Sequence, residues 1–288
     1  MNARRVRLGI SPCPNDTFAF HGLLSGAIQP RGFELAIELA DIEALNRGYE
    51  AGRYDASKAS FAAALSWSAT SVVLRAGSAL GFGVGPLLLA RPGAPPLAAR
   101  AGDAAPLVLC PGERTTAHLL YRLFHAGAGR VEQALFSEIL PALERGDADY
   151  GVCIHEGRFT YERHGLVLVE DLGSTWEQRM DAPLPLGGIL ARRDLGPEIV
   201  AGLDGAIRAS LDLARAEPEA ALATMRAHAQ ELDDDVIRAH VALYVNEWTR
   251  DLGATGTRAL AALSRAARAA GLVADHLPEL EIAPAGAP

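Results

Sequence analysis

Short apolar segments that alternate with helix-like segments fill the first two thirds of this chain. From residue 196 onward the pattern becomes entirely helical, with Pro197 near one helix start and Pro218 between two helices. Strands that alternate with helices are typical of α/β proteins with mostly parallel sheets. Such sheets bind ligands at the carboxyl ends of their strands. The apolar strand-like segments are residues 6–10, 33–39, 87–90, 107–110, 150–154, 166–172 and 186–190.

The order of these segments predicts two lobes. The chain has 288 residues, of which 49% are hydrophobic, so it can bury the cores of two ordinary domains. An Ala-, Pro- and Gly-rich loop at residues 92–106 marks the passage out of the first lobe. We expect residues 1–88 and 188–288 to form one lobe and residues 89–187 to form the other, with a cleft between them.

The charge and the terminal sequence exclude several classes of protein. A net charge of -8 argues against broad binding to nucleic acid, which depends on clustered Lys and Arg. The apolar stretch near the N-terminus, residues 8–10, is too short for a secretory signal, and no run of about 18 apolar residues predicts a membrane span. Three widely spaced cysteines fit a reduced compartment, so we expect a cytoplasmic protein without a membrane partner.

The first polar motif follows the first strand, where residues 11–18 are SPCPNDTF. Two prolines fix the turn around Cys13, and Asn15, Asp16 and Thr17 supply short polar side chains beside the free N–H groups of a helix start. Such a helix start is a natural seat for an anionic or polar ligand group. The alternative is a capped turn without a ligand, and these residues alone favour it.

The second motif is SKAS at residues 57–60, where Ser57 or Ser60 is expected at a helix start. The hydroxyls, the backbone N–H groups and the Lys58 ammonium would bind a carboxylate by charge-assisted hydrogen bonds. An ordinary N-cap with a solvated lysine explains the motif equally well. A Schiff-base role for Lys58 ranks below both, because a carboxylate clamp demands less of the site.

The third motif is PGERTTA at residues 111–117, again between a strand and a helix. Thr115 and Thr116 add hydroxyls to the helix N-terminus, so this segment can hold oxygen atoms of a substrate. Simple capping by threonine is the alternative. The spacing is not that of a Walker loop.

The fourth motif places His155 at the carboxyl end of the strand at residues 150–154. A neutral imidazole there can take up a proton near physiological pH, and Glu156 or Arg158 is expected to orient or tune it. The alternative is a histidine with only structural hydrogen bonds. No His-Glu-x-x-His or comparable pair is present, so we expect no metal.

Taken together, these motifs resemble the 1,4-dihydroxy-6-naphthoate synthase family of the futalosine route to menaquinone. The most specific combination is SPCPNDTF with IHEGRFTY, and the resemblance covers nearly the whole chain. The segments that carry it are residues 11–18, 55–61, 83–88, 115–117, 155–161 and 176–187.

The resemblance implies a two-lobed fold like that of the type II periplasmic binding proteins, which closes around a small-molecule carboxylate. It also implies a lyase that splits cyclic dehypoxanthinylfutalosine to give 1,4-dihydroxy-6-naphthoate without a cofactor. His155 takes the place of the family's proton acceptor. The positions that match its substrate-binding segments are Lys58, Ala59, Ser60, Thr116 and Ala117.

Two other functions are compatible with the same fold. One is a non-catalytic small-carboxylate binding protein, which would ordinarily carry an export signal. The other is a sibling enzyme that dehydrates chorismate. The polar cluster around His155 favours the naphthoate-forming lyase over both, whereas the residues imply no particular oligomeric state.

Overall fold

Strands and helices alternate along most of the chain, as predicted. The computed structural model describes residues 4–97, 105–155, 157–229 and 233–285. The strands are β1 (Arg4–Ile10), β2 (Phe33–Leu39), β3 (Ala56–Ser60), β4 (Ser71–Val73), β5 (Ala79–Gly81), β6 (Leu87–Ala90), β7 (Leu107–Cys110), β8 (Arg130–Gln133), β9 (Tyr150–Cys153), β10 (Val167–Asp171) and β11 (Leu184–Arg192).

The α-helices pack around these strands, and the last five follow them in one block. The helices are α1 (Pro14–Ala19), α2 (His21–Leu24), α3 (Ile42–Glu50), α4 (Phe61–Ala64), α5 (Thr116–Phe124), α6 (Phe136–Arg145), α7 (Gly157–Thr160), α8 (Leu172–Met180), α9 (Pro197–Ala216), α10 (Pro218–His228), α11 (Asp234–Tyr244), α12 (Glu247–Arg250) and α13 (Gly253–Ala269). Short 3₁₀ segments are Leu65–Trp67, Tyr161–His164 and Arg193–Leu195. No helix within the described ranges has both the length and the apolar composition of a membrane span.

Local sequence signals explain several helix boundaries. The Asp41 carboxylate accepts hydrogen bonds from the backbone N–H groups of Glu43 and Ala44, both at 3.0 Å, and so caps α3. Pro197 and Pro218 are the first residues of α9 and α10, where the missing N–H of proline costs nothing. These helix starts confirm the sequence predictions.

The strands form two sheets. In the first, the order is β2-β1-β3-β11-β4, with β5 also paired to β11. In the second, the order is β10-β6-β9-β7-β8. The prediction of mostly parallel sheets is wrong, because β11 runs antiparallel to β3, β4 and β5, and β6 runs antiparallel to β9 and β10. Both β6 and β11 enter their sheet from the other sheet. Neither is therefore joined to a neighbouring strand by a crossover within one sheet, which is the connection that parallel pairing requires.

Two connections join the sheets, between β5 and β6 and between β10 and β11. They pack against each other backbone to backbone. A Cβ atom on Gly85 would lie 2.2 Å from the Cα atom of Gly173, so only glycine fits there. The predicted lobe boundaries, at residues 88/89 and 187/188, lie close to these connections. They stay a prediction.

The two sheets share part of their apolar core. One buried cluster contains Phe61 after β3, Leu88 on β6, Val108 on β7 and Leu263 on α13. A second cluster lies under the first sheet and a third under the second sheet. The lobes are therefore packed together on one side, which leaves the ends of β1, β7 and β9 to line the space between them.

Candidate active site

A cleft lies between the two sheets. The structure brings together residues from all four predicted motifs, although the motifs are far apart in sequence. The predicted site residues that line the cleft are Asn15, Asp16, Lys58, Ser60, Thr115, Thr116, Ala117 and His155.

His155 lies just beyond β9, and its half-buried imidazole contacts both lobes. The Sγ atom of Cys13, on the other lobe, is 3.5 Å from Nδ1 and 3.8 Å from Nε2. The Phe136 ring packs edge-on against the imidazole with 4.9 Å between ring centroids. The backbone of His155 has a φ of 58°, a left-handed conformation that non-glycine residues rarely adopt. Strained backbone of this kind is concentrated at functional sites.

Lys58 is buried rather than solvated. Its side chain is 7% exposed, and Nζ donates to Oδ1 of Asp16 at 2.5 Å and to the carbonyl oxygen of Gly77 at 3.1 Å. Asp16 is held by further donors, namely the backbone N–H of Ser11 at 3.2 Å and Nδ2 of Asn15 at 2.9 Å. The ion pair carries no net charge, so Lys58 can recognise a substrate oxygen mainly by hydrogen bonding.

Ser60 lies at a helix start, as predicted, because it is the N-cap residue of α4. The alternative of an ordinary side-chain cap is wrong, since Ser60 makes no side-chain cap hydrogen bond and residues 56–60 form the fully buried central strand β3. The polar groups are satisfied by tertiary partners instead. Asn46, for example, accepts from the Ser60 backbone N–H at 3.1 Å and donates to the Ser60 hydroxyl at 3.3 Å.

The start of α5 faces the cleft from the second lobe. Thr115 caps this helix, since its hydroxyl accepts from the His118 backbone N–H at 3.2 Å. The backbone N–H groups of Thr116 and Ala117 lie in the first turn, where they have no partner within the helix. The Thr116 hydroxyl links the lobes by donating to Leu186 O at 2.7 Å and accepting from Ala62 N at 3.2 Å. The helix start therefore offers N–H donors to a substrate anion.

Other predicted residues support the site from behind or lie outside the described ranges. Ser57 and Ala59 are completely buried in β3. Cys13 is buried and contacts His155. Arg158 donates to Gly85 O at 2.7 Å and pairs with Asp171 at 2.6 Å, so it braces the connections between the lobes. Glu156 lies outside the described residues.

Among the residues that line the cleft, the sequence analysis missed the polar side chains of His240 and Tyr244. They are four residues apart on α11 and therefore lie on one helix face. Nε2 of His240 is 2.9 Å from Oδ1 of Asn15, and its ring lies nearly parallel to that of His155 at 6.3 Å. Burial, followed by the nearby His155 and Lys58, lowers the pKa of His240 well below 6.5. Burial raises the pKa of the Tyr244 phenol.

The described residues include no group of three or more His, Cys, Asp or Glu side chains placed to hold a metal ion. The arrangement instead offers an imidazole, a buried ammonium, hydroxyls and backbone N–H groups around one cleft. These groups can move a proton and stabilise an oxygen that gains negative charge.

Comparison with known proteins supports the family resemblance over almost the full chain. Residues 6–269 match a family model described as menaquinone biosynthesis. A 1,4-dihydroxy-6-naphthoate synthase of Thermus thermophilus is 49% identical over 270 residues, which cover 93% of this chain and 96% of that protein. A protein of the same name from Streptomyces coelicolor is 41% identical over 278 residues, which cover 95% and 96%.

Solved structures agree on the fold. A protein from Archaeoglobus fulgidus has a TM-score of 0.85 and 30% identity, with coverage of 93% of this chain and 98% of that one. The periplasmic aliphatic sulphonate binding protein of Escherichia coli has a TM-score of 0.62 and 12% identity, with coverage of 99% and 96%. The chain thus has the two-lobed fold of the periplasmic binding proteins, as predicted.

Proposed function

The chain belongs to the menaquinone biosynthesis family, and on this premise we propose that it is a cytoplasmic lyase with His155 as proton acceptor. The reaction is that of 1,4-dihydroxy-6-naphthoate synthase, in which cyclic dehypoxanthinylfutalosine is split to the naphthoate with loss of a sugar-derived fragment. The observation that carries the proposal is the position of the His155 imidazole. It lies at the end of β9 in the wall of a cleft whose lobes are packed together.

The chemistry requires a base because the ring becomes aromatic only when a proton leaves an acidic carbon. A neutral imidazole can accept such a proton near physiological pH. The contacts with Cys13 and Phe136 restrict the imidazole to one region of the cleft. A base that is held in place lowers the entropic cost of reaching the transition state.

The substrate carboxylate is proposed to bind at the start of α5. The backbone N–H groups of Thr116 and Ala117 are oriented along the helix axis, and the helix dipole favours negative charge at this end. Lys58 approaches from the other lobe. A lysine ammonium has three donors, and Asp16 and Gly77 occupy two of them, which leaves one for a substrate oxygen. Lys58 therefore acts as a hydrogen-bonding group in this proposal, and the Ser60 hydroxyl, which lines the cleft, is proposed to do the same.

Incubation of the purified protein with cyclic dehypoxanthinylfutalosine tests the function directly. We expect mass spectrometry to detect 1,4-dihydroxy-6-naphthoate, whereas a parallel incubation with chorismate should leave chorismate unchanged. Conversion of chorismate would instead identify the dehydrating sibling enzyme. Binding of the futalosine derivative without any product would identify a non-catalytic binding protein.

A further inference from the structure

His240 is the most unusual polar residue of the cleft that the proposed reaction does not yet use. It lies on α11, it is 1% exposed, and its ring forms part of the cleft wall. Its Nε2 atom contacts Asn15 Oδ1 at 2.9 Å. Its Nδ1 atom is buried and has no hydrogen-bond partner among the described residues.

The hydrogen-bond network around Asn15 determines which ring nitrogen of His240 carries the proton. Nδ2 of Asn15 donates to the Asp16 carboxylate at 2.9 Å, and this carboxylate also accepts from Lys58. The opposite amide atom, Oδ1, therefore faces His240 and can only accept. Nε2 of His240 must then be the donor.

The second nitrogen of His240 is consequently a bare acceptor as long as the ring is neutral. Burial and the neighbouring Lys58 and His155 hold the pKa of His240 below its usual value, so the neutral ring prevails at physiological pH. A buried acceptor that lacks a donor is costly for a folded protein. A donor that arrives with a ligand would remove this cost.

We propose that His240 is a substrate-binding residue whose Nδ1 accepts a hydrogen bond from a hydroxyl group of the substrate when the lobes close around it. This inference rests on the proposed function, in which the sugar-derived part of the substrate carries such hydroxyls. His240 and His155 then have different tasks. His155 takes up the proton, whereas His240 stays neutral and selects a hydroxyl-bearing ligand.

Two substitutions separate the nitrogens of His240. In His240→Gln the amide lies near the position of Nε2, so the contact with Asn15 can persist while the Nδ1 acceptor is lost. In His240→Asn the amide lies near the position of Nδ1, so an acceptor remains. We expect the glutamine variant to raise KM about tenfold with kcat within about threefold, because one hydrogen bond to substrate is lost. The asparagine variant should have a KM closer to that of the unmodified protein.

His21→Gln is the matched control, because His21 is a buried histidine that bonds to Thr224 outside the cleft. Its KM should stay unchanged. Equal KM values for the unmodified protein and both His240 variants, or a fall in kcat without a change in KM, would overturn the role of His240 while the proposed function stands. If the glutamine variant does not fold, a raised KM in His240→Ala relative to His240→Asn supports the inference, and equal values overturn it. Failure of the unmodified protein to form the naphthoate would refute the proposed function and this inference with it.

Discussion

Asp16→Asn is expected to destabilise the protein strongly, because it leaves the buried Lys58 ammonium without its counter-charge. The two side chains are 2% and 7% exposed, so water cannot replace the lost partner. Removal of one member of a buried ion pair costs about 3 to 5 kcal/mol in the free energy of unfolding. With about 2 to 4 °C per kcal/mol for chains of roughly this size, the melting temperature should fall by roughly 6 to 20 °C.

Thermal unfolding followed by circular dichroism measures this effect, with two matched variants. Asp212→Asn removes the carboxylate of an exposed pair with Arg250, whose side chains are 45% and 46% exposed, and should cost less than about 1 kcal/mol. The double variant Asp16→Asn with Lys58→Met removes both buried charges and should recover part of the loss. A melting temperature for Asp16→Asn that equals that of Asp212→Asn would refute the argument that Lys58 is a buried charge.

Three further predictions test other parts of the structure. Gly173→Ala should lower the free energy of unfolding, measured by urea denaturation, by about 1 to 3 kcal/mol, because its Cβ would lie 2.5 Å from Gly85 Cα. Gly205→Ala on α9, where the added Cβ meets open space, should instead raise it by about 0.5 to 1 kcal/mol. Equal effects of the two substitutions would contradict the close approach of Gly173 to Gly85. Thr116→Val should raise KM, since it removes the hydroxyl that links α5 to Leu186 O, and an unchanged KM would count against its role. The pKa of His240 is lowered in the folded state, so its contribution to the free energy of unfolding is complete above about pH 6.5 and is lost as the pH falls below that value. The limiting slope is about 1.4 kcal/mol per pH unit. His240→Gln should flatten the decline in stability between pH 7 and 5, and an unchanged profile would contradict the lowered pKa of His240.

Short sequence signals predict the helix boundaries that depend on neighbouring residues. Asp41, Thr115 and Asp233 each cap a helix through their own side chain, and the prolines at 197 and 218 begin helices. Strand-end placement likewise predicts that His155 faces the cleft, because ligand sites of α/β sheets form at such ends. The convergence of the first, third and fourth motifs on one cleft follows from the same rule, because these motifs follow β1, β7 and β9.

The errors have tertiary causes. Ser57 favours a helix start by local chemistry, yet it lies in β3, between β1 and β11, and Lys58 pairs with Asp16 there instead of being solvated. The antiparallel direction of β6 and β11 depends on how the chain crosses between lobes, which no short segment encodes. His240 has a local signal in its helical spacing to Tyr244, but only the fold brings it next to His155.

The turnover of His155→Asn with cyclic dehypoxanthinylfutalosine tests the central claim most directly. Because general-base catalysis contributes about 10² to 10⁴ in rate, we expect kcat to fall by at least about a hundredfold while the substrate dissociation constant stays within about threefold. His164 follows His155 by nine residues and bonds to Glu144. His164→Asn should therefore leave kcat unchanged. A kcat for His155→Asn within about threefold of the unmodified protein would contradict the role of His155 as the proton acceptor.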